Sequence, residues 1–589
     1  MISERTERWL TWLLVGSLFV YVVLRAVLVP ITYDEAATFF HYIRVGQYWP
    51  GVAHWDANNH ILNSFLSICS YRTFGVDEIW LRLPNVLAGA LYLFMTVKLS
   101  SLLSSKWLKW MLILGLCGNH FMLEFFSVTR GYGLSMALLL SALYPLYQWA
   151  EKGKPILLAT ALVLMQLATL ANLSLLIANL LLVSGATLWL LWKHRDRLVL
   201  SIAPLLLSAF CIKWFVELSF EYKERGLLYY GSGKGFWEST IASLAEFGFP
   251  AVEAVFPAAS MLALMILMVV CIYYVLRKGV GRALLFGYLF WGCALAIVLM
   301  HHLLEVNYPE DRVAMHFLVL FPFALIFLLD GIESKPIRLI APIVLLIFPV
   351  NMLLSANLAH VRLWKVDACA KEFYEEVRRY SESTGEAPTI AGYRLRDIPL
   401  YYYGFKNNAP VTVIQDVAYQ GNEADLQYAF LVEDGKWNDY QVLKYNKAAD
   451  LHLLKRKKER KQVTWDEKTT PAREVSIEPY FPFYESEIDS MVGKDLLWEV
   501  EVQMPELSEP FRSWVTTVIS TEKHETLMQE TVVVDWLQPT WQEGELLQQK
   551  ILMANIPEGA KRIKIFFWNI EEKPIALGKT HVKLIELKE

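Results

Sequence analysis

The sequence predicts a mainly α polytopic membrane domain of about eleven spans, then a small α/β domain and a C-terminal all-β sandwich. Three observations carry this. Apolar residues make up 55% of the 589 residues, and the excess lies before about residue 357, in runs near the ~20 residues needed to cross hydrocarbon. The short loops between alternate runs are basic. Beyond residue 475 the pattern becomes short stretches that alternate apolar and polar. A formal net charge of −4 argues against a general nucleic-acid binder. The six cysteines are scattered, most of them in apolar runs and without a CxxC pair or metal-ligand spacing. They read as small core residues rather than a disulfide framework.

The membrane domain is assigned to residues 1–357. Its first apolar run is long and has no small-residue cleavage site, which predicts a retained anchor helix. The spans begin near Trp9, Arg82, Leu108, Tyr132, Pro155, Ser174, Leu198, Phe256, Ala283, Val313 and Arg338. Residues 60–74 are apolar but short for a span and read as an interfacial helix. With Arg5 and Arg8 inside, every short inner loop is basic: Lys106 and Lys109, then Lys152 and Lys154, then Lys193, Arg195 and Arg197, then Arg277, Lys278 and Arg282, and last Lys335 and Arg338. That alternation puts Asp34, Glu35, the long loop 217–251 and the whole C-terminal part on the outer face.

Residues 358–456 are expected to form an extracytoplasmic α/β domain. DACAKEFYEEVRRYSEST (367–384) is amphipathic at helical spacing, IPLYYYGF (398–405) reads as a second helix, and TIAGY (389–393), VTVIQD (411–416) and YAFLVED (428–434) read as strands. Residues 457–475, which take in most of the charge run KRKKERKQ (455–462), are expected to be a charged linker. Residues 476–589 are expected to form a jelly-roll-like sandwich. LLWEVEVQM (496–504) places Leu496, Trp498, Val500, Val502 and Met504 on one face, and SWVTTVIS, ETVVVDW, KRIKIFFWNI and THVKLIEL follow at sandwich spacing.

Four polar clusters fall on the predicted outer side: Asp34-Glu35; HWDANNHILNS (54–64), with Asp56, Asn59 and His60; TRGYG (129–133), with Arg130 and Tyr132; and EVNYPEDR (305–312), with Glu310, Asp311 and Arg312. A carboxylate at an apolar boundary is partly desolvated and so a better base for a hydroxyl proton. Arginines at the same level can hold a phosphate through bidentate bonds. A base beside a phosphate holder is suited to displacing a phosphate leaving group, and at an outer surface the activated donors are lipid-linked. Each cluster also has a plain structural use. Asp34 can cap a helix, Arg130 can snorkel to headgroups, His60 can satisfy the interfacial helix, and Asp311 can pair with Arg312. GSGKG (231–235) lacks the G-x-x-x-x-G-K-[ST] spacing of a nucleotide loop and reads as a mobile loop, with Lys234 a minor phosphate contact.

In order and spacing these motifs resemble the GT-C glycosyltransferases of family 39, the protein O-mannosyltransferase and aminoarabinose-transferase-like group. That group has an acidic pair after the first transmembrane helix, a D-x-(N)-H-P-L-like stretch about twenty residues on, and R-x-Y at the outer end of a later helix. Asp34-Glu35, DANNHIL (56–62) and RGY (130–132) are similar, as is LRLPNVLAGALYLF (81–94) to the segment opening the next span. The resemblance covers about the first 330 residues. It departs at His60-Ile61-Leu62, which lacks proline, and at TLANLS (169–174), where Asn172 stands in place of a frequent histidine. It implies a GT-C fold and inverting transfer of a sugar from a polyprenyl-phosphate donor. Asp34 would be the base with Glu35 its neighbour, and Arg130, Tyr132 and Arg312 would hold the donor phosphate. Asp56, Asn59, His60, Glu310 and Asp311 are the candidate substrate-binding residues. The acceptor can be a lipid, a glycan or a protein. No cofactor is required by the sequence, a divalent metal is left open, and the lipid-linked donor points to a bacterial inner membrane. The alternative is a non-enzymatic membrane transporter or a glycan-binding anchor protein. A transporter is expected to carry ionisable residues midway along its helices, whereas here they gather at outer ends.

Overall fold

A computed structural model describes residues 3–392, 397–409, 411, 424–430, 437–508, 511–538 and 540–588. The chain divides into two units, one of residues 1–29 and 41–363 and the other of residues 30–40 and 364–589.

The helices are α1 (Glu4–Leu28), α2 (Tyr33–Thr38, in the second unit), α3 (Ile61–Phe74), α4 (Glu78–Ser100), α5 (Lys106–Cys117), α6 (His120–Phe125), α7 (Gly131–Lys152), α8 (Pro155–Ala171), α9 (Leu176–Lys193), α10 (Leu198–Glu224), α11 (Phe256–Lys278), α12 (Leu284–Leu304), α13 (Met315–Asp330), α14 (Lys335–Ile340) and α15 (Ile347–Ser355). Every segment expected as a span is helical. Among the described residues eight stretches are long and apolar enough to cross a membrane, and the remaining three expected spans fall short for identifiable reasons. The third breaks between α5 and α6, because Gly118 lets the chain pass Pro349 and the Asn119 side chain caps α6 on Met122 N. The fourth, α7, dilutes its apolar run with Ser, Tyr and Gln, and the fifth, α8, has only 17 residues.

The polarity of this unit is inverted relative to a soluble protein. Val199 and Leu276 are 81% and 78% exposed, while serines face inward. In α3, Ser67 Oγ donates to Leu81 O at 3.2 Å, Ser70 Oγ to Trp80 O at 2.5 Å, and Asn85 Nδ2 to Asn63 Oδ1 at 2.6 Å, whereas Phe65 and Phe74 point outward. Apolar surface turned to solvent and polar contacts between helices are what a hydrocarbon environment selects. The protein is an integral membrane protein.

A wholly buried ion pair lies in this unit. Arg25 Nη2 lies 2.9 Å from Glu124 Oε1 with both side chains at zero exposure. Arg25 also donates to Asn357 O at 2.6 Å, His360 O at 2.8 Å and Ser127 Oγ at 3.3 Å. Glu124 accepts from Arg362 N at 3.3 Å. The network ties α1 and α6 to the chain that leaves α15. Glu124→Ala strands the guanidinium and is expected to destabilise this unit by about 3–5 kcal/mol. Thermal unfolding in detergent reads the loss, and Glu124→Gln should recover part of it.

The second unit holds α16 (Ala370–Thr384), α17 (Asp397–Lys406), the one-turn α18 (Val534–Leu537) and twelve strands among the described residues. Strands β1 (Ile390–Gly392), β2 (Leu426–Ala429), β3 (Tyr440–Asn446) and β4 (Leu451–Arg456) form a sheet in the order β1-β2-β4-β3, with β1 and β2 parallel. Phe373 of α16 meets Tyr428 edge-on at 5.0 Å. The strands that follow are β5 (Lys461–Thr470), β6 (Tyr480–Glu487), β7 (Asp495–Gln503), β8 (Ser513–Ser520), β9 (Thr526–Val533), β10 (Leu546–Met553), β11 (Arg562–Asn569) and β12 (Thr580–Lys588). They make two antiparallel sheets, β10-β7-β12-β5 and β6-β11-β8-β9. Counted from β5, these orders are 6-3-8-1 and 2-7-4-5, the double Greek-key wiring of a jelly roll. Trp498, Val500 and Val502 face the core as the alternation predicts.

Three expectations are corrected in this unit. The charged linker contains β5, an edge strand whose Lys and Glu side chains stay in solvent while its backbone pairs with β12; charge on an edge strand discourages further pairing and made the strand read as a linker. ETVVVDW is strand only to Val533 and then turns into α18. The first sheet and the sandwich are also not separately cored, since Ala391 and Ala424 share a buried cluster with Leu497, Leu552, Ala554 and Ile585. Residues 412–416 of the strand expected over 411–416, and residues 431–434 of that over 428–434, lie outside the described residues.

Candidate active site

Three of the four polar clusters meet at one end of the helical unit. The RGYG stretch begins α7, with Arg130 as its N-cap residue. A Cβ on Gly131 would lie 2.0 Å from Ala171 O and 2.6 Å from His60 Cβ, and one on Gly133 would lie 2.6 Å from Phe125 O. Glycine at both positions therefore lets the first turn of α7 press against the end of α8, the start of α3 and the end of α6. Gly131→Ala forces backbone apart and is expected to cost about 1–3 kcal/mol. A lowered melting temperature together with lost donor binding checks it.

Arg130 and Arg312 are only 1% and 8% exposed. Neither snorkels to the surface. Arg130 Nη2 donates to Asn58 O at 3.2 Å and to the Asn58 side-chain oxygen. Arg312 lies in the turn Asp311–Ala314 that precedes α13. Its Nε donates to Tyr132 Oη at 3.3 Å, its Nη1 donates to Tyr230 Oη at 3.0 Å, and its guanidinium sits 4.4 Å from the Tyr230 ring centroid. Tyr132 in turn meets the His60 ring edge-on at 4.5 Å. His60, Tyr132 and Arg312 thus form a continuous chain of contacts, and Arg130 is bonded to Asn58, two residues before His60.

Asp311 organises the last of these loops. It accepts from Tyr230 Oη, receives the Arg312 backbone N–H, donates its own N–H to Ser243 Oγ at 2.8 Å, and lies 3.8 Å from Arg312 Nη1. Its φ is +35°, a conformation these bonds hold in place. Burial pushes the Tyr230 phenol up, and Asp311 adds to that against the opposing pull of Arg312, so Tyr230 stays protonated and donating. Burial, reinforced by Asp311, raises the Glu310 carboxyl as well.

The remaining residues of the HWDANNH stretch are mostly committed to its shape. Asp56 Oδ1 accepts from Asn58 N at 2.8 Å, Asn59 Nδ2 donates to Tyr48 O at 3.0 Å, and Asn59 Oδ1 accepts from Ser64 Oγ at 2.9 Å. Asn59 therefore has a structural task. Burial and then Asp56 raise the Tyr42 phenol.

Tyr230 and Asn58 were not anticipated as site residues. Tyr230 sits in the long loop just before GSGKG, and only that loop's predicted side marked it. The GSGKG segment, expected as a mobile loop, is pinned: Ser232 and Tyr308 exchange backbone hydrogen bonds of 3.3 and 2.9 Å. Gly231, at φ +102°, would place a Cβ 2.4 Å from Tyr308 O.

Asp34 and Glu35 belong to the second unit and are described there. Thr32 caps α2, with its side chain accepting from Glu35 N at 3.4 Å while Glu35 Oε2 accepts from Thr32 N at 3.1 Å. This is a capping box, and it buries Glu35. Asp34 is half-buried. The segment is stapled to its own unit: Ile31 N donates to Tyr403 Oη at 3.0 Å, Tyr33 N to Asp367 Oδ2 at 2.6 Å, Phe39 meets Phe405 at 5.3 Å, and Phe40 stacks on Trp536 at 5.1 Å. The aromatics after the acidic pair are anchors.

Among the described residues no group of three or more His, Cys, Asp or Glu could hold a metal ion. The helical unit holds two buried guanidiniums, that of Arg130 bonded to Asn58 and that of Arg312 bonded to the phenols of Tyr132 and Tyr230.

No protein-family model matches the chain, and no curated protein does. Among solved structures the chain is similar to ArnT from Cupriavidus metallidurans in the apo state, with a TM-score of 0.44 and 13% identity over 77% of this chain and 98% of that one. It is similar to the same protein bound to undecaprenyl phosphate, with a TM-score of 0.39 and 12% identity over 77% and 98%. It is also similar to the arabinosyltransferase EmbB from Mycobacterium smegmatis, with a TM-score of 0.36 and 11% identity over 100% of this chain and 65% of that one.

Proposed function

We propose that the chain is an integral membrane glycosyltransferase of the GT-C fold that moves a sugar from a polyprenyl-phosphate donor to an acceptor hydroxyl with inversion. The observation that carries this is the pair of buried arginines, Arg130 held by Asn58 and Arg312 by Tyr132, whose ring meets His60 two residues after Asn58. Two guanidiniums held at low dielectric are a strong site for a phosphate.

A second feature fits a lipid carrier. A cavity of ≈ 450 Å³ lies among α11, α12 and α13, lined by Phe236, Phe256, Phe290, Phe317 and Phe348 with few polar groups. Its Thr240 donates to Pro309 O at 2.7 Å, and Phe236 meets Tyr308 edge-on at 6.3 Å. The apolar space therefore adjoins the very loop that carries Arg312, as a phosphate with an isoprenoid tail requires.

In the proposed step the acceptor oxygen forms a bond to the anomeric carbon as the bond from that carbon to the phosphate oxygen breaks. The acceptor proton passes to a carboxylate, assigned to Asp34 on its sequence position and because Glu35 is taken by the capping box. The lipid phosphate departs with the bonding electrons and an added negative charge, which Arg130 and Arg312 stabilise. Tyr132 and Tyr230 orient Arg312, Asp56 and Asn59 shape the loop that presents His60, and Glu310 and Asp311 border the phosphate site. The N-terminus is assigned to the cytoplasm and the second unit to the outer face of a bacterial inner membrane, from the basic inner loops. The acceptor is a lipid, a glycan or a protein. The test is reconstitution in liposomes with radiolabelled undecaprenyl-phosphate sugars and host membrane extract. Label passing to an acceptor supports the reading, and a panel in which no donor is consumed contradicts it.

A further inference from the structure

His60 reaches the residue before Asn172 where the start of α3, the first turn of α7 and the end of α8 converge. His60 Nδ1 lies 3.0 Å from Ala171 O. A carbonyl oxygen only accepts, so Nδ1 carries the proton and Nε2 presents a lone pair. Asn172 Oδ1 accepts from Ser174 N at 3.2 Å, which leaves Nδ2 as the outstanding donor. Both atoms are buried, and neither has a hydrogen-bond partner among the described residues. His60 is 6% exposed and Asn172 4%. Burial, and then Arg130, hold the imidazole well below its ordinary range, so the ring stays neutral and its lone pair stays available.

A buried acceptor and a buried donor left unpaired are unfavourable unless a ligand completes them. Their complement is a hydroxyl group, which gives one hydrogen bond and takes another. Sugar rings carry such groups, and in a glycosyl phosphate they lie within a few bonds of the phosphate. Through the Tyr132 ring, His60 is in contact with the residue that Arg312 binds. Tyr42 Oη, a third buried polar atom without a partner among the described residues, lies in the electrostatic reach of Asp56 and Arg130.

We propose that His60 and Asn172 are the specificity residues for the donor sugar: one ring hydroxyl donates to His60 Nε2 and accepts from Asn172 Nδ2. This rests on the glycosyltransferase reading, since it takes the arginine site to hold the phosphate to which the sugar is attached. A site built to pair a hydroxyl rejects the deoxy analogue, because its own polar atoms are then left unpaired.

The experiment uses the full-length protein in lipid nanodiscs. Binding is measured for undecaprenyl phosphate, for undecaprenyl-phosphate-linked hexoses and pentoses, and for monodeoxy analogues of whichever sugar binds best. One deoxy change is expected to weaken wild-type binding by about 5- to 10-fold. His60→Leu should weaken the parent donor by a similar factor, ignore that same deoxy change, and confine its loss to ligands that bear a sugar. His60→Gln, which keeps an acceptor, should recover part of the loss. If His60→Leu does not fold, Asn172→Ala reads the same coupling, and the wild-type deoxy series needs no variant. Three results overturn the subsite: no deoxy position coupled to either residue, an equal loss on undecaprenyl phosphate alone, or no loss at all, which would assign the two atoms to a buried water. If undecaprenyl phosphate does not bind, or binds equally to Arg312→Ala, the glycosyltransferase reading fails and the subsite with it. If binding depends on Arg312 and the coupling is absent, only the subsite fails.

Discussion

Arg312→Ala is expected to lower kcat/KM for the polyprenyl-phosphate donor by about 10²- to 10³-fold, the usual cost of removing one preorganised stabiliser of developing charge. The side chain is 8% exposed and is held by Tyr132 Oη at 3.3 Å and Tyr230 Oη at 3.0 Å. It is therefore aimed before any substrate arrives, and no reorganisation is needed as the phosphate gains charge. Because that charge is greatest late in bond breaking, the effect should fall more on kcat than on KM. Arg312→Lys keeps a charge but loses the planar fork that both tyrosines orient, and should recover only a small part of the rate. Steady-state kinetics on protein with a wild-type melting temperature decides this, and an alanine variant within a few-fold of wild type would remove Arg312 from the site.

Asp34→Asn is expected to cost about 10²- to 10⁴-fold in transfer, the range for losing a general base. The substitution is close to isosteric. The cap of α2 is made by Thr32 and Glu35, so the helix should persist without the Asp34 charge. Glu35→Gln offers the contrast. Its amide oxygen can still accept from Thr32 N, and the expected effect is a stability loss of about 1 kcal/mol or less with transfer largely kept. Separate measurement of unfolding and turnover in the two variants splits the acidic pair into a chemical member and a structural one. Equal loss of rate in both, tracking stability, would return Asp34 to a structural role.

The legible parts of the sequence were those in which one residue property repeats. Apolar length marked each membrane helix and the alternation from Trp498 to Gln503 marked β7, because both report burial directly. The charged strand β5 was not legible, since an edge strand buries little and its Lys and Glu side chains look the same in a linker. The break between α5 and α6 was hidden because Gly118 signals a close approach only when Pro349 is known to be there. At the site, the RGYG and PEDR motifs stood out because charge at a membrane edge is costly and therefore informative. Tyr230 did not, because an aromatic near a span end is ordinarily an interfacial anchor, and its bonds to Asp311 and Arg312 come from residues about eighty positions away. The bonds of the Asn59 amide to Tyr48 and Ser64 were not signalled by its place in the motif.

The central claim is that a polyprenyl-phosphate sugar is cleaved at the anomeric carbon, and not merely carried. The most direct measurement is phosphorus NMR of the lipid extracted from a proteoliposome reaction, read beside the label found in acceptor. The account predicts that one glycosyl phosphodiester is converted to one polyprenyl phosphomonoester for each sugar transferred, and that Arg312→Ala and Asp34→Asn slow both signals together. Donor that stays a phosphodiester while it moves between leaflets would contradict it and identify a transporter.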